Sequence, residues 1–403
     1  YSNWLQDNKK TNIAVSPGTI ENPFMTWEKI KSVNGGLDFG LFDHRLTGSF
    51  DYYVRTTTDM LGPAPQLPTI LGVNPKRANN TELQDYGYEI QVGWRDRLTN
   101  GLNYGVRLLL SDYQTKVLKY PSNKTGDILG YYDGKVVGEI WGYETVGIAK
   151  TQAEMDEHLA SVGGQSAIYS SWGAGDIMYK NVDGVDGISP GGRTLTDHGD
   201  LKVIGNNTPR YQFGIDLTAD WKGFDVRAFF QGVGKRDFWQ GNYFFWGATS
   251  GNWNSNGDES GQSGNNIEDG GMWLSTALVP HIDYFRDADT WSVKNGYQSE
   301  NLDSYYPKIY FDGDNGKNRK VQTRYLQDAS YIRLKNLQIG YTLPQTLTKK
   351  VKIEKLRIFF SGENLWTASN MISIFDPETI DGGWNGSVYP LSKVLAFGLN
   401  VNF

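Results

Sequence analysis

The stretch Ser392–Phe403, SKVLAFGLNVNF, alternates residue by residue. Leu395, Phe397, Leu399, Val401 and Phe403 are apolar, while Ala396, Gly398, Asn400 and Asn402 between them are small or polar. Successive side chains of a strand point to opposite sides, so this is a strand with one apolar face and one small, polar face. The apolar face needs a cover. Lipid provides one, because a transmembrane β-strand shows lipid only at every second residue.

The same period recurs through the chain in segments of about ten residues. In RLTGSFDYYV, Leu46, Gly48, Phe50, Tyr52 and Val54 oppose Thr47, Ser49, Asp51 and Tyr53. GLNYGVRLLL sets Leu102, Tyr104, Val106, Leu108 and Leu110 against Asn103, Gly105 and Arg107. FDVRAFFQG and LRIFFSGENL repeat the pattern with Phe224, Val226, Ala228 and Phe230, and with Leu356, Ile358 and Phe360. Nine strands are predicted: 33–42, 45–58, 82–95, 101–115, 208–219, 223–234, 329–342, 354–365 and 393–403. Short turns at 42–46, 95–101 and 219–223 alternate with long links at 56–80, 118–206, 236–327 and 367–391. Short connections on one rim and long ones on the other are the pattern of an outer-membrane barrel. Loops of that length are uncommon in a soluble sandwich. An odd number of consecutive antiparallel strands cannot close with antiparallel pairing throughout, so the expectation is an open sheet whose remaining wall lies elsewhere.

Composition agrees. The 403 residues include 48 glycines and 14% aromatics, which favours turn-rich β structure, and there is no cysteine, which excludes disulfides and thiolate metal sites. The net charge of -6 comes without a basic stripe, so nucleic acid is not an expected partner. Mean hydropathy is -0.50. No run of 18 apolar residues exists to form a transmembrane helix, which leaves barrel strands untouched. The chain begins at Tyr1 in polar, loop-like sequence, and the expectation is that it continues a longer polypeptide. One loop helix is predicted in TQAEMDEHLASVGG, with Thr151 as cap, Glu154 at the capping-box position and Gly163–Gly164 as the stop.

The segment SYIRLKNLQIGYTLP (Ser330–Pro344), the strand LRIFFSGENLWT (Leu356–Thr367) and the run Asp376–Glu378 resemble the C-terminal region of the SusC/RagA family of TonB-linked outer-membrane transporters. WEKIKSVNGGLDFG and RLTGSFDYY upstream are similar to that family as well. The resemblance implies an all-β fold, the C-terminal part of a roughly 22-stranded plugged barrel with long extracellular loops. Residues 1–403 would then be one barrel portion, with the plug and the first strands absent from this chain. It also implies import of oligosaccharides or peptides across the outer membrane of a Gram-negative bacterium, with a SusD-like surface lipoprotein as partner and TonB acting through the missing plug. In such barrels Phe403 resembles the signal read by the assembly machinery.

Candidate contacts are few. The link Trp239–Trp291 is dense in Trp, Tyr, Asn, Gly and Asp. Flat rings stack on sugar C–H faces and amides bind hydroxyls, so Trp246, Trp253 and Trp273 are candidate cargo or partner contacts; the alternative is that they pack the loop. GDIMYKNVDGVDGIS is similar to a family loop that itself resembles a calcium loop. Asn181, Asp183 and Asp186 are its candidate Ca or Mg ligands within 181–188, although Val185 puts Asp186 out of phase and an Asx-rich turn explains the same residues. His44, His158, His198 and His281 show no metal-ligand spacing, and neither a nucleophile elbow nor a phosphate loop is present, so no catalytic residue is assigned. The competing reading is a soluble or surface-attached all-β glycan-binding module. It would lack a continuous apolar face and loops confined to one rim.

Overall fold

A computed structural model describes residues 2–6, 10–14, 22–64, 76–241, 243–247, 278–310, 313–383, 386 and 388–403. Its main feature is a nine-stranded sheet made of β1 (Lys29–Leu41), β2 (Leu46–Gly62), β3 (Ala78–Arg97), β4 (Asn103–Lys119), β5 (Arg210–Trp221), β6 (Phe224–Lys235), β7 (Tyr331–Thr342), β8 (Lys355–Ser369) and β9 (Val394–Asn402). Each strand lies beside its neighbour in sequence, from β9 at one edge to β1 at the other. The five pairings from β4 to β9 are antiparallel. The sheet does not close on itself among the described residues. No described helix is long and apolar enough to cross a membrane.

All nine predicted strands are present and in the expected order. Several reach beyond the predicted ends on the side of the long connections: β2 runs to Gly62, β4 to Lys119 and β8 to Ser369. There the apolar alternation fades while backbone pairing continues, and pairing needs no particular side chain.

The chain divides into two compact units, residues 1–35 with 52–87 and 113–137, and residues 36–51 with 88–112 and 138–403. The first is held by polar contacts between strand ends. Asn79 donates to the carbonyls of Thr26 and Asp59 and accepts from Thr26 N–H, and Lys29 pairs with Asp59 at 2.8 Å. Val117 and Ile128 are fully buried there, and Lys135 donates to the carbonyls of Ile128 and Gly130.

The second unit carries the wall β5–β9 and a folded assembly built from the long connections. The helix α1 (Gln152–Val162) begins as predicted, with the Glu154 N–H donating to Thr151 Oγ1 at 3.1 Å, and Gly163 ends it at φ 73°. The return arm of the capping box differs: Glu154 Oε2 accepts from Lys150 N–H at 2.6 Å, one residue before the cap. Met155 on α1 packs with Ala149 and Met178 in a small buried core. A second core is aromatic. Phe245, Tyr306 and Tyr325 are buried, with the Tyr306 and Tyr325 rings stacked 6.2 Å apart. Burial raises both phenol groups well above the usual tyrosine range. Small two-stranded pairs, such as Glu139–Tyr143 with Leu201–Asn206, were not predicted; the partners lie far apart in sequence and are only five or six residues long.

Candidate functional site

Register fixes which side chains share a face. Leu108, Ile215 and Phe230 stand opposite one another on adjacent strands. Phe224, Tyr341, Ile358 and Leu399 do the same across β6 to β9, as do Val226, Ile339, Phe360 and Phe397. This face is apolar and open: Phe397 is 83% and Leu399 67% exposed. A soluble protein rarely leaves so continuous an apolar patch uncovered. Phe403 follows β9 and is 89% exposed.

The opposite face is polar and cross-linked by charge. Arg227 holds Asp216 there through two hydrogen bonds of 3.0 and 2.9 Å; near the start of β5, where Tyr211 takes a positive φ, Arg210 holds Asp112 through bonds of 2.5 and 2.6 Å. Arg357 on β8 reaches Asp225 on β6, passing over Gly340 of the strand between them. A Cβ at Gly340 would lie 2.5 Å from the guanidinium, so the missing side chain gives the arginine its path. Such paired bonds between guanidinium and carboxylate fix geometry as well as charge.

At the short-turn rim the apolar face ends in aromatics. Trp94 Nε1–H donates to the Tyr104 hydroxyl, Trp221 Nε1–H donates to the Asn100 carbonyl, and the rings of Phe224 and Tyr341 lie 4.5 Å apart. Amphipathic rings gather where hydrocarbon meets polar headgroups. Two faces of opposite character with an aromatic girdle are the requirements of a membrane-spanning wall.

The predicted site residues fare differently. Trp246 is 2% exposed, donates from its indole N–H to the Gln240 carbonyl at 2.8 Å, and meets Tyr325 edge-on at 4.8 Å. Its ring is enclosed by the aromatic core of the long connections. Trp253 and Trp273 lie outside the described residues. An open aromatic pair was not singled out in the sequence: Trp291 and Tyr297 are stacked at 15° and 5.4 Å and are 69% and 72% exposed. Their only sequence signal is a Trp and a Tyr six apart around a short helical turn after Thr290.

The candidate cation loop is bound to itself. Asn181 Oδ1 accepts from Gly184 N–H at 2.7 Å, its amide donates to the Val185 carbonyl, and Asp183 Oδ1 accepts from Val185 N–H. Asp186 lies against Gly163 at the end of α1, where an added Cβ would meet its carboxylate. Among the described residues no group of three or more His, Asp or Glu is placed to hold a metal. This donor set does not fit a Ca or Mg cage and forms an Asx turn. Asp176, which opens the same motif, is buried with Lys317 at 2.7 Å and accepts from Asn318 and Gly173. The Lys317 ammonium lies over the rings of Tyr310, Trp172 and Tyr169.

A cavity of about 640 Å³ opens on the polar face. The wall contributes Asp51, Glu89, Gln212 and Gln231, and the β8–β9 connection contributes Glu378 and Asp381. Burial raises the Asp381 carboxyl, but its hydrogen bond to Arg236 and the charge of that arginine outweigh this and leave it below the usual carboxylate range.

No family model matches the chain. It is 28% identical to the TonB-dependent receptor P3 of Formosa agariphila, over 95% of this chain and 35% of that protein. It is 25% identical to the TonB-dependent receptor P26 of the same organism, over 96% of this chain and 36% of the relative. With the TonB-dependent receptor SusC of Bacteroides thetaiotaomicron it shares 21% identity over 95% of this chain and 32% of that protein. The chain thus spans about a third of the length of the curated relatives it matches. A solved structure of the RagAB peptide transporter superposes with a TM-score of 0.61 at 20% identity, covering 100% of this chain and 38% of that one. The RagAB peptide importer in its open-open state gives 0.62 at 21%, covering 100% and 37%. Over nearly its whole length this chain is similar in sequence to TonB-dependent receptors, SusC among them, and its sheet shares the fold of the RagAB transporter structures.

Proposed function

We propose that this chain is the C-terminal part of the wall of a plugged outer-membrane barrel of roughly 22 strands, working as the SusC-like component of an importer. The plug, the first strands and the TonB contact belong to the rest of that protein, and a SusD-like lipoprotein covers its outer mouth. The supporting observation is the two-faced sheet, apolar and open on one side and polar and charge-paired on the other. In this reading the short turns and Phe403 stand at the periplasmic rim, and Phe403 contributes to recognition by the assembly machinery.

Two cargo classes have support. The solved structures sharing the fold are described as peptide transporters. The stacked, exposed rings of Trp291 and Tyr297 suit the C–H faces of an oligosaccharide. A strain lacking the full-length gene, grown on defined glycans and on defined peptides, distinguishes them. Loss of growth on one class assigns the cargo, and unchanged growth on both overturns the import reading. Alanine at Trp291 and Tyr297, assayed by uptake and by pull-down of the lipoprotein, separates a cargo shelf from a partner contact.

A further inference from the structure

The two sequence signatures in SYIRLKN and FDPE meet in space, and nothing so far gives them a task. We infer that they form a latch. It straps the β8–β9 connection, residues 370–383, across the polar face of the sheet and narrows the passage along the wall.

Arg333, at 3% exposure, sits at the centre. Its Nε donates to Thr367 Oγ1 at 2.8 Å, one terminal nitrogen donates to Glu378 Oε2 at 2.8 Å, and the other donates to Asp376 Oδ1 at 2.7 Å. Lys335 takes the second oxygen of Glu378 at 2.6 Å. Asp376 Oδ1 also accepts from Glu378 N–H, so the Asp-Pro-Glu turn is closed from within and presents both carboxylates to one guanidinium. A further anchor lies at Asp381, which accepts from Arg236 at 2.8 Å. Beside these anchors Phe375 and Ile380 are buried, and Gly386 lies so close to both that a Cβ would meet them at 3.2 and 3.0 Å.

The direction of the strap follows from the cavity. Asp51, Glu89, Gln212 and Gln231 belong to the polar face, and Glu378 and Asp381 of the connection line the same cavity. The connection therefore folds over the wall and does not stand clear of it. A buried guanidinium with two carboxylates is an expensive way to hold a simple loop, because removing one partner leaves a charge in a dry site. It suits a segment that must stay in one place while cargo passes.

The latch is read from geometry alone, and its effect on passage rests on the import reading. The test separates the two. This stretch has no cysteine, so Gln212→Cys in the full-length protein, in membranes, is the probe position inside the cavity. Labelling is followed with a small maleimide and with the same maleimide on a polyethylene glycol chain. The strap predicts that the parent labels quickly with the small reagent and about tenfold more slowly with the large one. In Asp376→Asn/Glu378→Gln the large reagent approaches the rate of the small one, and limited proteolysis newly cuts within 370–383. If that variant does not fold, Lys335→Met/Asp381→Asn removes two outer anchors without stranding Arg333 and gives the same change in smaller degree. A folded variant of either kind with the parent's labelling ratio and cleavage pattern overturns the strap. A changed labelling ratio in a protein that imports neither glycans nor peptides overturns the import reading and leaves the latch standing.

Discussion

The Nε2 of His281 lies 2.8 Å from the carbonyl oxygen of Phe244, and its Nδ1 accepts the backbone N–H of Leu278 at 2.9 Å. One ring nitrogen must carry hydrogen and the other must not, so the neutral imidazole fits both contacts and the imidazolium fits one. Burial holds His281 below the usual imidazole range, against the backbone contacts with Phe244 and Phe245 that raise it. An unfolded histidine titrates at about 6.5. The stabilisation is therefore complete above that value and is lost as pH falls through the depressed folded value. The protection factor of the Leu278 amide should fall on acidification, and His281→Asn should remove that fall. Identical pH profiles for the two proteins would contradict this.

Arginine at Leu108 or Ile358 should cost about 2–4 kcal/mol if the position lies near the bilayer midplane, whereas arginine at Ser361 on the polar face should cost far less. Register places Ile358 between Tyr341 and Leu399, and Ser361 between Gln338 and Ala396. Unfolding in denaturant, read by the heat-modifiable mobility of the full-length protein, measures the difference. Equal losses on both faces would refute the assignment of the apolar face to lipid.

Trp246→Ala should remove a buried aromatic and cost about 3–5 kcal/mol. Trp291→Ala, at an open position, should stay within about 0.5 kcal/mol. Uptake and partner binding should follow the reverse order once folded protein is compared at equal amounts. If Trp246→Ala keeps full stability and loses only binding, the buried role is wrong.

Gly340→Ala should push Arg357 from Asp225 and cost about 1–3 kcal/mol through crowding and the lost pair. In an Arg357→Met background the same change should cost much less, because the obstructing guanidinium is gone. Additive costs in this double-mutant cycle would mean that the glycine serves something other than the arginine's path.

The strands were legible because lipid imposes a strict period of two on them, and the helix because Thr151 and Gly163 mark its ends chemically. What failed to show was distance. Arg333 finds its carboxylates 43 and 45 residues away. A sequence read locally sees a basic phrase and an acidic phrase without their meeting. At Trp246 composition does not decide, since an aromatic-rich stretch reads alike whether its rings line a binding shelf or fill a core. Trp291 and Tyr297 escaped notice because their short turn carries no alternation and no long apolar run.

The cross-strand arginine–aspartate pairs have a consequence for how the wall is assembled. A strand paired one residue out of step would turn Asp225, Arg227 and Arg357 toward hydrocarbon and carry Val226 and Ile358 into the aqueous interior. Each arginine so misplaced near the midplane would cost about 2–4 kcal/mol. The partners that now meet at 2.9 Å, Arg227 with Asp216 and Arg357 with Asp225, would part at the same moment. A register slip is thus penalised twice, by the charge turned toward hydrocarbon and by the pair that is lost.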